Sequence, residues 1–142
     1  MEKPSLELEL SISQVAYTHM ENEMPTVLVV DDEPLIRLYA CGVLEEAGYP
    51  TKEAGDAEEA MRILADGRIT ILIADIEMPG SMGGLALARR VRETWPHIAV
   101  IVASGQRLPL PDELPEQSEF LAKPFSRERL LGLLAHAGRD VA

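Results

Sequence analysis

The chain has 142 residues, and its 24 acidic side chains outnumber 13 basic ones to give a formal net charge of −11. Binding to nucleic acid or to an anionic membrane surface needs a basic face, so neither partner is expected. Hydrophobic residues form 46% of the chain but aromatic residues only 4%, so the core must be aliphatic, as is usual when helices cover a parallel sheet.

The single cysteine and the acidic N-terminus indicate the cellular setting. Cys41 alone cannot form an internal disulfide, and its apolar neighbours predict a small core residue. Glu2, Glu7 and Glu9 stand where a secretion signal would carry a basic start, and no apolar run reaches membrane-spanning length. A cytoplasmic protein is therefore expected.

Residues 1–24 differ from the rest of the chain and are treated as a leader. Leu6, Leu8, Leu10 and Ile12 alternate with polar side chains, a period-two pattern that suits an edge strand in this chain or a neighbouring one. Terminal segments are usually poorly ordered unless they are tied down, so a mobile tail is the other interpretation. Methionines near the end of the leader also leave the true start codon open.

After the leader, short β-branched apolar runs alternate with segments of helical period, which is the sequence form of repeated βαβ units. Strands are predicted at 26–30, 49–54, 69–74, 98–103 and 120–122. The third is nearly continuous in apolar residues, as expected for a strand that is buried on both faces. The fold class is therefore α/β, with a doubly wound, five-stranded parallel sheet.

Four helices are predicted between and after these strands. Pro34 suits the first turn of a helix over 34–47, and Gly48 supplies its C-terminal stop. The buried stripe of this helix is predicted to consist of Leu35, Leu38, Val43 and Leu44. Asp56 and Glu59 form a capping-box pattern that opens a second helix ending at Gly67. A third helix spans 85–95 before Pro96, and a last one follows the cap Ser126 and stops at Gly138.

A proline-rich segment interrupts the pattern between the last two strands. Pro109, Pro111 and Pro115 lie close together, and an interior proline removes a backbone donor and clashes with the preceding turn. The fourth helix of a regular βαβ series is therefore expected to be degraded or absent.

Polar side chains follow four of the predicted strands. They are Asp31, Asp32, Asp75, Ser104 and Lys123. Because the carboxyl ends of parallel strands share one edge of the sheet, where ligands bind, these side chains are expected to meet there. Each taken singly could be a cap, a turn residue or a solvated charge. Capping does not explain a lysine at a strand end, so together they indicate a site.

Three carboxylates in one crevice repel one another unless protons or a cation intervene. Oxygen ligands with open positions suit Mg²⁺, which commonly bridges to a phosphate. One carboxylate could then act as a nucleophile toward phosphorus, with an ammonium and a hydroxyl to offset the charge of the transferred group.

The motifs at these strand ends resemble the receiver domain of bacterial two-component response regulators. They are VLVVDDEP at 27–34, DIEMP at 75–79, ASG at 103–105 and FLAKPF at 120–125. The resemblance covers residues 25–138 and leaves 139–142 as a short tail. It implies the flavodoxin-like strand order 2-1-3-4-5.

The resemblance also implies roles for individual residues. Asp75 would be the phosphoacceptor. Asp32, Asp75 and the backbone carbonyl of Glu77 would bind Mg²⁺ directly, with Asp31 acting through water. Lys123 would contact the phosphoryl oxygens.

Further implications concern the switch and one peptide bond. Ser104 would also contact the phosphoryl group and form a switch with Phe120, which must act by packing because phenylalanine has no hydroxyl. The Lys123-Pro124 bond would be cis. The loop 79–84 looks one residue longer than the usual pattern, and its glycines allow a backbone path that is closed to other residues.

The interpretation is a stand-alone receiver, because only four residues follow Gly138. A histidine kinase or histidine phosphotransfer protein would donate the phosphoryl group, and an unknown downstream protein would receive the signal. The resemblance also allows a homodimer, although a degraded fourth helix predicts a departure from the standard dimer geometry. The alternatives are a small-molecule phosphatase or phosphotransferase that forms an aspartyl phosphate, and an inactive pseudo-receiver.

Overall fold

A computed structural model describes residues 24–80 and 82–141, with side chains described up to residue 137 in the last helix. The alternatives for the leader concern residues that lie, apart from Met24, outside the described part. The elements, in chain order, are β1 Val27–Val30, α1 Pro34–Glu46, β2 Thr51–Ala54, α2 Ala57–Ala65, β3 Ile71–Asp75, α3 Gly84–Thr94, β4 Ala99–Ser104, β5 Ser118–Ala122 and α4 Arg127–Val141.

The five strands form one parallel sheet in the order β2-β1-β3-β4-β5. The predicted α/β class and flavodoxin-like order are confirmed. The register aligns Asp75 with Ala103 and Ser104 with Ala122. The carboxyl ends of four strands therefore reach the same edge of the sheet, which is the condition for a shared site.

Aliphatic side chains cover both faces of the sheet, as the composition predicts. Alternate residues of each strand point to opposite faces, so Val27 and Val29 pack with one cluster and Leu28 and Val30 with the other. The first cluster contains buried residues of α1 and α4, and the second contains those of α2 and α3. Cys41 is buried in the first cluster, in agreement with the prediction.

Local signals at most helix ends are confirmed. Pro34 opens α1, and Gly48 follows it at φ +96° while the N–H of Tyr49 donates to the carbonyl of Leu44. This is the bond of a Schellman motif, which needs a left-handed residue at the glycine. Ser126 accepts from the N–H of Arg129 and caps α4.

The capping box of α2 differs in one bond from the predicted pattern. The side chain of Asp56 accepts from the N–H of Glu59, as predicted. The Glu59 carboxylate reaches back one residue further, to the N–H of Gly55 at 2.8 Å. Gly67 ends the helix at φ +82°. Both ends of α2 are thus fixed by its own sequence.

The predicted buried stripe of α1 is wrong in its first turns. Val43 and Leu44 are buried, but Leu35 is 78% and Leu38 67% exposed. At about 100° per residue, Leu35 lies roughly opposite Leu44 on the helix and Leu38 about 120° away from it. Ala40 and Cys41 complete the buried face instead.

The last helix continues to Val141, so the predicted stop at Gly138 is also wrong. A glycine allows a helix to end but does not require it, since its cost within a helix is only about 1 kcal/mol. Among the described residues, no helix has both the length and the apolar character needed to cross a lipid bilayer.

No α-helix lies between β4 and β5, where every residue is described, and the prediction for this segment is confirmed. A 3₁₀ turn at Pro111–Glu113 takes its place. Arg89 of α3 donates to the carbonyl of Glu113 at 2.8 Å, and Arg92 donates to that of Glu116 at 3.0 Å. A helix would have bonded its own backbone carbonyls. In this segment, side-chain donors from α3 bond some of them instead.

Candidate functional site

The predicted site residues meet at the carboxyl edge of the sheet. Asp31 follows β1, Asp75 ends β3 and Ser104 ends β4, and all three are at most 3% exposed. Lys123 follows β5, and its N–H donates to the carbonyl of Ser104 at 2.8 Å. Polar groups this deeply buried need partners, and Lys123 supplies one to both Asp31 and Asp75, while Ser104 bonds Glu77 and Arg107.

Asp75 is a buried carboxylate with one unpartnered oxygen. Its Oδ1 accepts from the N–H of Glu77 at 3.1 Å and lies 3.2 Å from the Lys123 ammonium. Its Oδ2 has no hydrogen-bond partner among the described residues. Burial raises the pKa of Asp75 to about 6 and the charge of Asp31 adds to this, while the Glu77 N–H and Lys123 act in the opposite direction.

Lys123 lies within ion-pair distance of three carboxylates. Its Nζ lies 3.0 Å from Asp31 Oδ2 and 3.7 Å from Glu33, in addition to its contact with Asp75. Burial alone would lower the pKa of Lys123, but the hydrogen bond and charge of Asp31, together with Asp75, raise it above the ordinary value. The site therefore holds a charged ammonium. The peptide bond from Lys123 to Pro124 is cis.

The acidic cluster fits a hard divalent cation. Asp31, Asp32 and Asp75 each offer a carboxylate oxygen, and these oxygens all lie within 4.8 Å of one another. Both oxygens of Asp31 already accept protein hydrogen bonds, one from Lys123 and one from the N–H of Glu33. Asp32 is exposed, and Asp75 keeps its unpartnered oxygen. Asp32 and Asp75 are thus better placed than Asp31 to be direct ligands of a cation.

Ser104 is engaged with Glu77. Its single hydroxyl proton lies between two acceptors, Glu77 Oε2 and the carbonyl of Arg107. The Glu77 carboxylate also accepts from the backbone N–H groups of Gly105, Gln106 and Arg107 at 3.0 to 3.2 Å. Burial raises the pKa of Glu77, but these hydrogen bonds outweigh it and hold that pKa below its usual value.

The glycine-rich loop after β3 packs directly against the backbone of Asp75. A Cβ at Gly84 would lie 1.9 Å from the Asp75 carbonyl oxygen and 2.7 Å from the Cα of Ile76. Gly80 takes φ +113°, a conformation that side chains disfavour. Glycine is therefore required at Gly84 because the backbone of Asp75 lies too close for a Cβ. It is favoured at Gly80 because the backbone there has a positive φ.

Sequence reasoning placed the backbone of Glu77 at the site but missed its side chain. A glutamate two residues after a strand end is a common loop residue, and no local pattern indicates that its carboxylate crosses to the next strand. It also missed Arg37, whose guanidinium donates to the carbonyl of Asp31 at 2.6 Å. Phe120 is half-buried on β5 opposite Val102.

Comparison with known proteins agrees with this geometry. The structure of the chemotaxis protein CheY4 from Vibrio cholerae matches at a TM-score of 0.73 and 28% identity, covering 80% of this chain and 98% of that one. The receiver domain of NtrX from Brucella abortus matches at a TM-score of 0.71 and 30% identity, covering 78% of this chain and 96% of that one.

Curated relatives are longer proteins. The sensor kinase CckA of Brucella abortus is 36% identical over 110 residues, which are 74% of this chain and 12% of the kinase. The nitrogen assimilation regulatory protein NtrX of Azorhizobium caulinodans is 31% identical over 115 residues, 78% of this chain and 25% of that protein. The chain thus spans a quarter or less of the length of these two relatives.

A parallel sheet of this order, with an acidic cluster and a lysine at its carboxyl edge, defines a signalling phosphoacceptor fold. The family model of the response regulator receiver domain matches residues 27–135, and the chain belongs to that family. Receiver domains are phosphorylated by histidine kinases and bind Mg²⁺ at an acidic cluster such as the one formed here by Asp31, Asp32 and Asp75.

Proposed function

We propose that this chain is a response regulator in two-component or phosphorelay signalling, with Asp75 as its phosphoacceptor. The observation that carries the proposal is the state of Asp75. Its carboxylate is 1% exposed, has one oxygen without a protein partner, and lies 3.2 Å from the ammonium of Lys123. A buried, unpartnered oxygen is costly, and a transferred group would give it a bond.

The proposed reaction is phosphoryl transfer from a phosphohistidine of a kinase or phosphotransfer protein. A carboxylate oxygen of Asp75 forms the bond to phosphorus, the phosphorus–nitrogen bond breaks, and its electron pair stays on the imidazole. Lys123 and the hydroxyl of Ser104 are the groups that would offset the charge on the transferred oxygens. Hydrolysis of the acyl phosphate would then reset the site.

The proposed metal ligands are Asp32, Asp75 and the backbone carbonyl of Glu77, with Asp31 acting through water. The two protein hydrogen bonds on Asp31 support its outer role. When bound, Mg²⁺ would reduce the repulsion among the carboxylates and stabilise the charge of the transferring group. The 4.8 Å spread of the carboxylate oxygens supports this assignment.

Output would pass through protein contacts to a downstream partner. Ser104 and Phe120 are the proposed switch pair, one at the end of β4 and one on the neighbouring β5. Phenylalanine cannot donate a hydrogen bond, so Phe120 would respond to a shift of Ser104 through packing alone.

Intact mass spectrometry with acetyl phosphate tests the proposal. The wild-type protein should gain one phosphoryl group in the presence of Mg²⁺ and none in excess chelator. Asp75→Asn should remove the gain, whereas Asp66→Asn, an exposed acid at the end of α2, should keep it. The matched pair separates loss of the nucleophile from loss of one negative charge.

Other outcomes would point to the other functions. Steady hydrolysis of a small phosphoester that disappears in Asp75→Asn would favour a phosphatase. A wild-type protein that neither binds Mg²⁺ nor gains a phosphoryl group would be an inactive pseudo-receiver, and the proposal would be wrong.

A further inference from the structure

The Glu77 side chain lies in a cluster of hydrogen-bond donors at the end of β4, here called the donor cradle. The cradle consists of the hydroxyl of Ser104 and the backbone N–H groups of Gly105, Gln106 and Arg107. Glu77 Oε1 accepts from Gly105 at 3.0 Å, and Oε2 accepts from the other two N–H groups at 3.2 Å and from the hydroxyl. Four donors converging on one carboxylate form an anion site that is built into the chain and filled by it.

The donor cradle lies beside the phosphoacceptor. Asp75 pairs with Ala103 in the sheet, so Ser104 is the next residue along the neighbouring strand. Glu77 bridges the two strands, because its backbone N–H donates to Asp75 Oδ1 at 3.1 Å while its side chain reaches the cradle. An anionic group attached to Asp75 would therefore find these donors near it and already occupied.

We infer that the Glu77 carboxylate is a resident anion which a phosphoryl group on Asp75 must displace from the donor cradle, so that Glu77 sets the rate at which Asp75 is phosphorylated. The inference rests on the proposed function. Each N–H and the single hydroxyl proton can make one strong hydrogen bond, so two anions cannot both hold the full set. Transfer then requires Glu77 to move.

Displacement of Glu77 would also change how the start of the segment between β4 and β5 is anchored. Arg107 shares its N–H between Glu77 and the hydroxyl oxygen of Ser104, and its carbonyl is the second acceptor beside that hydroxyl's single proton. Its guanidinium is paired with Glu113 at 2.9 Å in the 3₁₀ turn. Exchange of Glu77 for a phosphoryl group therefore changes the first anchor of a segment on which Leu108 and Leu110 are exposed.

Variants that change the length or the charge of the Glu77 side chain distinguish two explanations for its effect on the rate. One is occupancy of the donor cradle, and the other is simple charge repulsion. Glu77→Gln keeps the shape but removes the negative charge, whereas Glu77→Asp keeps the charge and shortens the reach by one methylene. Glu33→Gln is the charge control, because Glu33 is an exposed acid at the rim of the site, 3.7 Å from Lys123, and has no bond to the donor cradle.

The test measures the rate of phosphorylation of each variant by acetyl phosphate with Mg²⁺. An oxygen of Asp75 forms the bond to phosphorus, and acetate leaves with the electron pair of the bond that breaks. Glu77→Gln should react roughly tenfold faster than wild type and Glu77→Asp at least roughly threefold faster, because both vacate donors that the transition state uses. Glu33→Gln should change the rate by less than about twofold, because an ion pair whose acid is 61% exposed contributes little.

Amide hydrogen exchange gives a second readout that does not depend on phosphorylation. In the unphosphorylated wild type, the N–H groups of Gly105, Gln106 and Arg107 should exchange slowly, and both Glu77 variants should accelerate them. Core amides of β3 and β4 should be unchanged, which verifies folding. Binding of beryllofluoride with Mg²⁺ should restore protection at Gly105 in the variants.

The outcomes separate this inference from the proposed function. If Glu77→Asp is phosphorylated at the wild-type rate while Glu77→Gln is faster, charge alone is responsible and the inference is overturned. Equal rates in all variants, with unchanged exchange in the donor cradle, would also overturn it and leave the proposed function intact. If no variant and no wild-type protein is phosphorylated, both fail together.

Discussion

Asp75 lies where a negative charge is unfavourable in the metal-free protein. Its side chain is almost fully buried, Asp31 is close by, and a single ammonium is shared between the two carboxylates. Burial is the main reason that its pKa is raised to about 6. A nucleophile held in this way is poorly solvated and partly unpaired, so a cation or a covalent phosphoryl group relieves an existing cost.

The raised pKa of Asp75 predicts a pH-dependent stability. A carboxyl group whose pKa is higher in the folded than in the unfolded state binds more protons when the protein is folded. Its contribution to the free energy of unfolding is therefore full below about pH 4 and is lost as the pH rises through about 6. Asp75→Asn should therefore raise the free energy of unfolding at pH 7.5 by roughly 1–3 kcal/mol in chelator.

Urea denaturation of both proteins at pH 4 and pH 7.5 measures this difference. The gain should be much smaller at the lower pH, where the carboxyl is protonated in the folded state and about half protonated in the unfolded state. A substitution that stabilises equally at the two pH values would show that the charge of Asp75 is not the cause.

Sequence alone predicted which side chains meet at the site but not how they pair. Strand ends of a parallel sheet share an edge, so Asp31, Asp75, Ser104 and Lys123 could be placed together without knowing any distance. The carboxylate of Glu77 could not be placed, because its rotamer depends on donors that the chain presents about thirty residues later. Contacts made across loops have no local period to reveal them.

Local sequence signals predicted where helices begin and end better than they predicted which face of a helix is buried. Gly48, Gly67 and Ser126 act through their own backbone or side-chain bonds, and each end was predicted correctly. The face of α1 depends on what packs against it, and a count of apolar residues included Leu35 and Leu38, which lie in solvent. Tertiary packing decides which part of an apolar helix is buried.

The junction of β3 and α3 depends on Gly84. A Cβ there would meet the carbonyl carbon of Asp75 at 2.6 Å, and backbone atoms cannot move aside as a flexible side chain can. Gly84→Ala should lower the free energy of unfolding by roughly 2–4 kcal/mol, as overpacking against backbone does. Denaturant titration measures the loss.

Gly42 provides the matched control for this substitution. It lies exposed within α1, and no heavy atom is within 4 Å of the position that a Cβ would take there. Gly42→Ala should therefore stabilise the protein by roughly 0.5–1 kcal/mol, because alanine is the better helix former. Equal effects of the two substitutions would contradict the role assigned to Gly84.

At the scale of the whole molecule, the described residues form two separate apolar surfaces. One, here called the α1 surface, is a cleft lined by Leu35, Tyr39, Lys123, Pro124 and Phe125, with the rings of Tyr39 and Phe125 5.8 Å apart. The other lies on the segment between β4 and β5, where exposed leucines flank prolines. Exposed apolar surface often marks a protein contact. Because Lys123 belongs to both the α1 surface and the site, a protein donor that reaches Asp75 is expected to contact the α1 surface.

Leu35→Gln and Leu108→Gln distinguish the two surfaces. Both leucines are highly exposed, at 78% and 74%, so neither change should affect folding. Leu35→Gln should slow transfer from a phosphorylated histidine-kinase fragment by roughly tenfold, the effect of losing one well-packed contact, while its reaction with acetyl phosphate stays at the wild-type rate. Leu108→Gln should match wild type with both donors, because this segment joins the site through backbone groups of residues 105–107, which a side-chain change at Leu108 leaves in place.

Rapid-quench measurement with the two donors, using a kinase fragment that phosphorylates the wild type, makes the comparison direct. The small donor needs no docking surface, so it reports on the chemistry of Asp75 alone, and the ratio of the two rates isolates the contribution of protein contact. An equal loss with both donors would mean that Leu35 supports the site itself. A loss confined to Leu108→Gln would assign the donor to the segment between β4 and β5, and the α1 surface would then be available to a downstream partner.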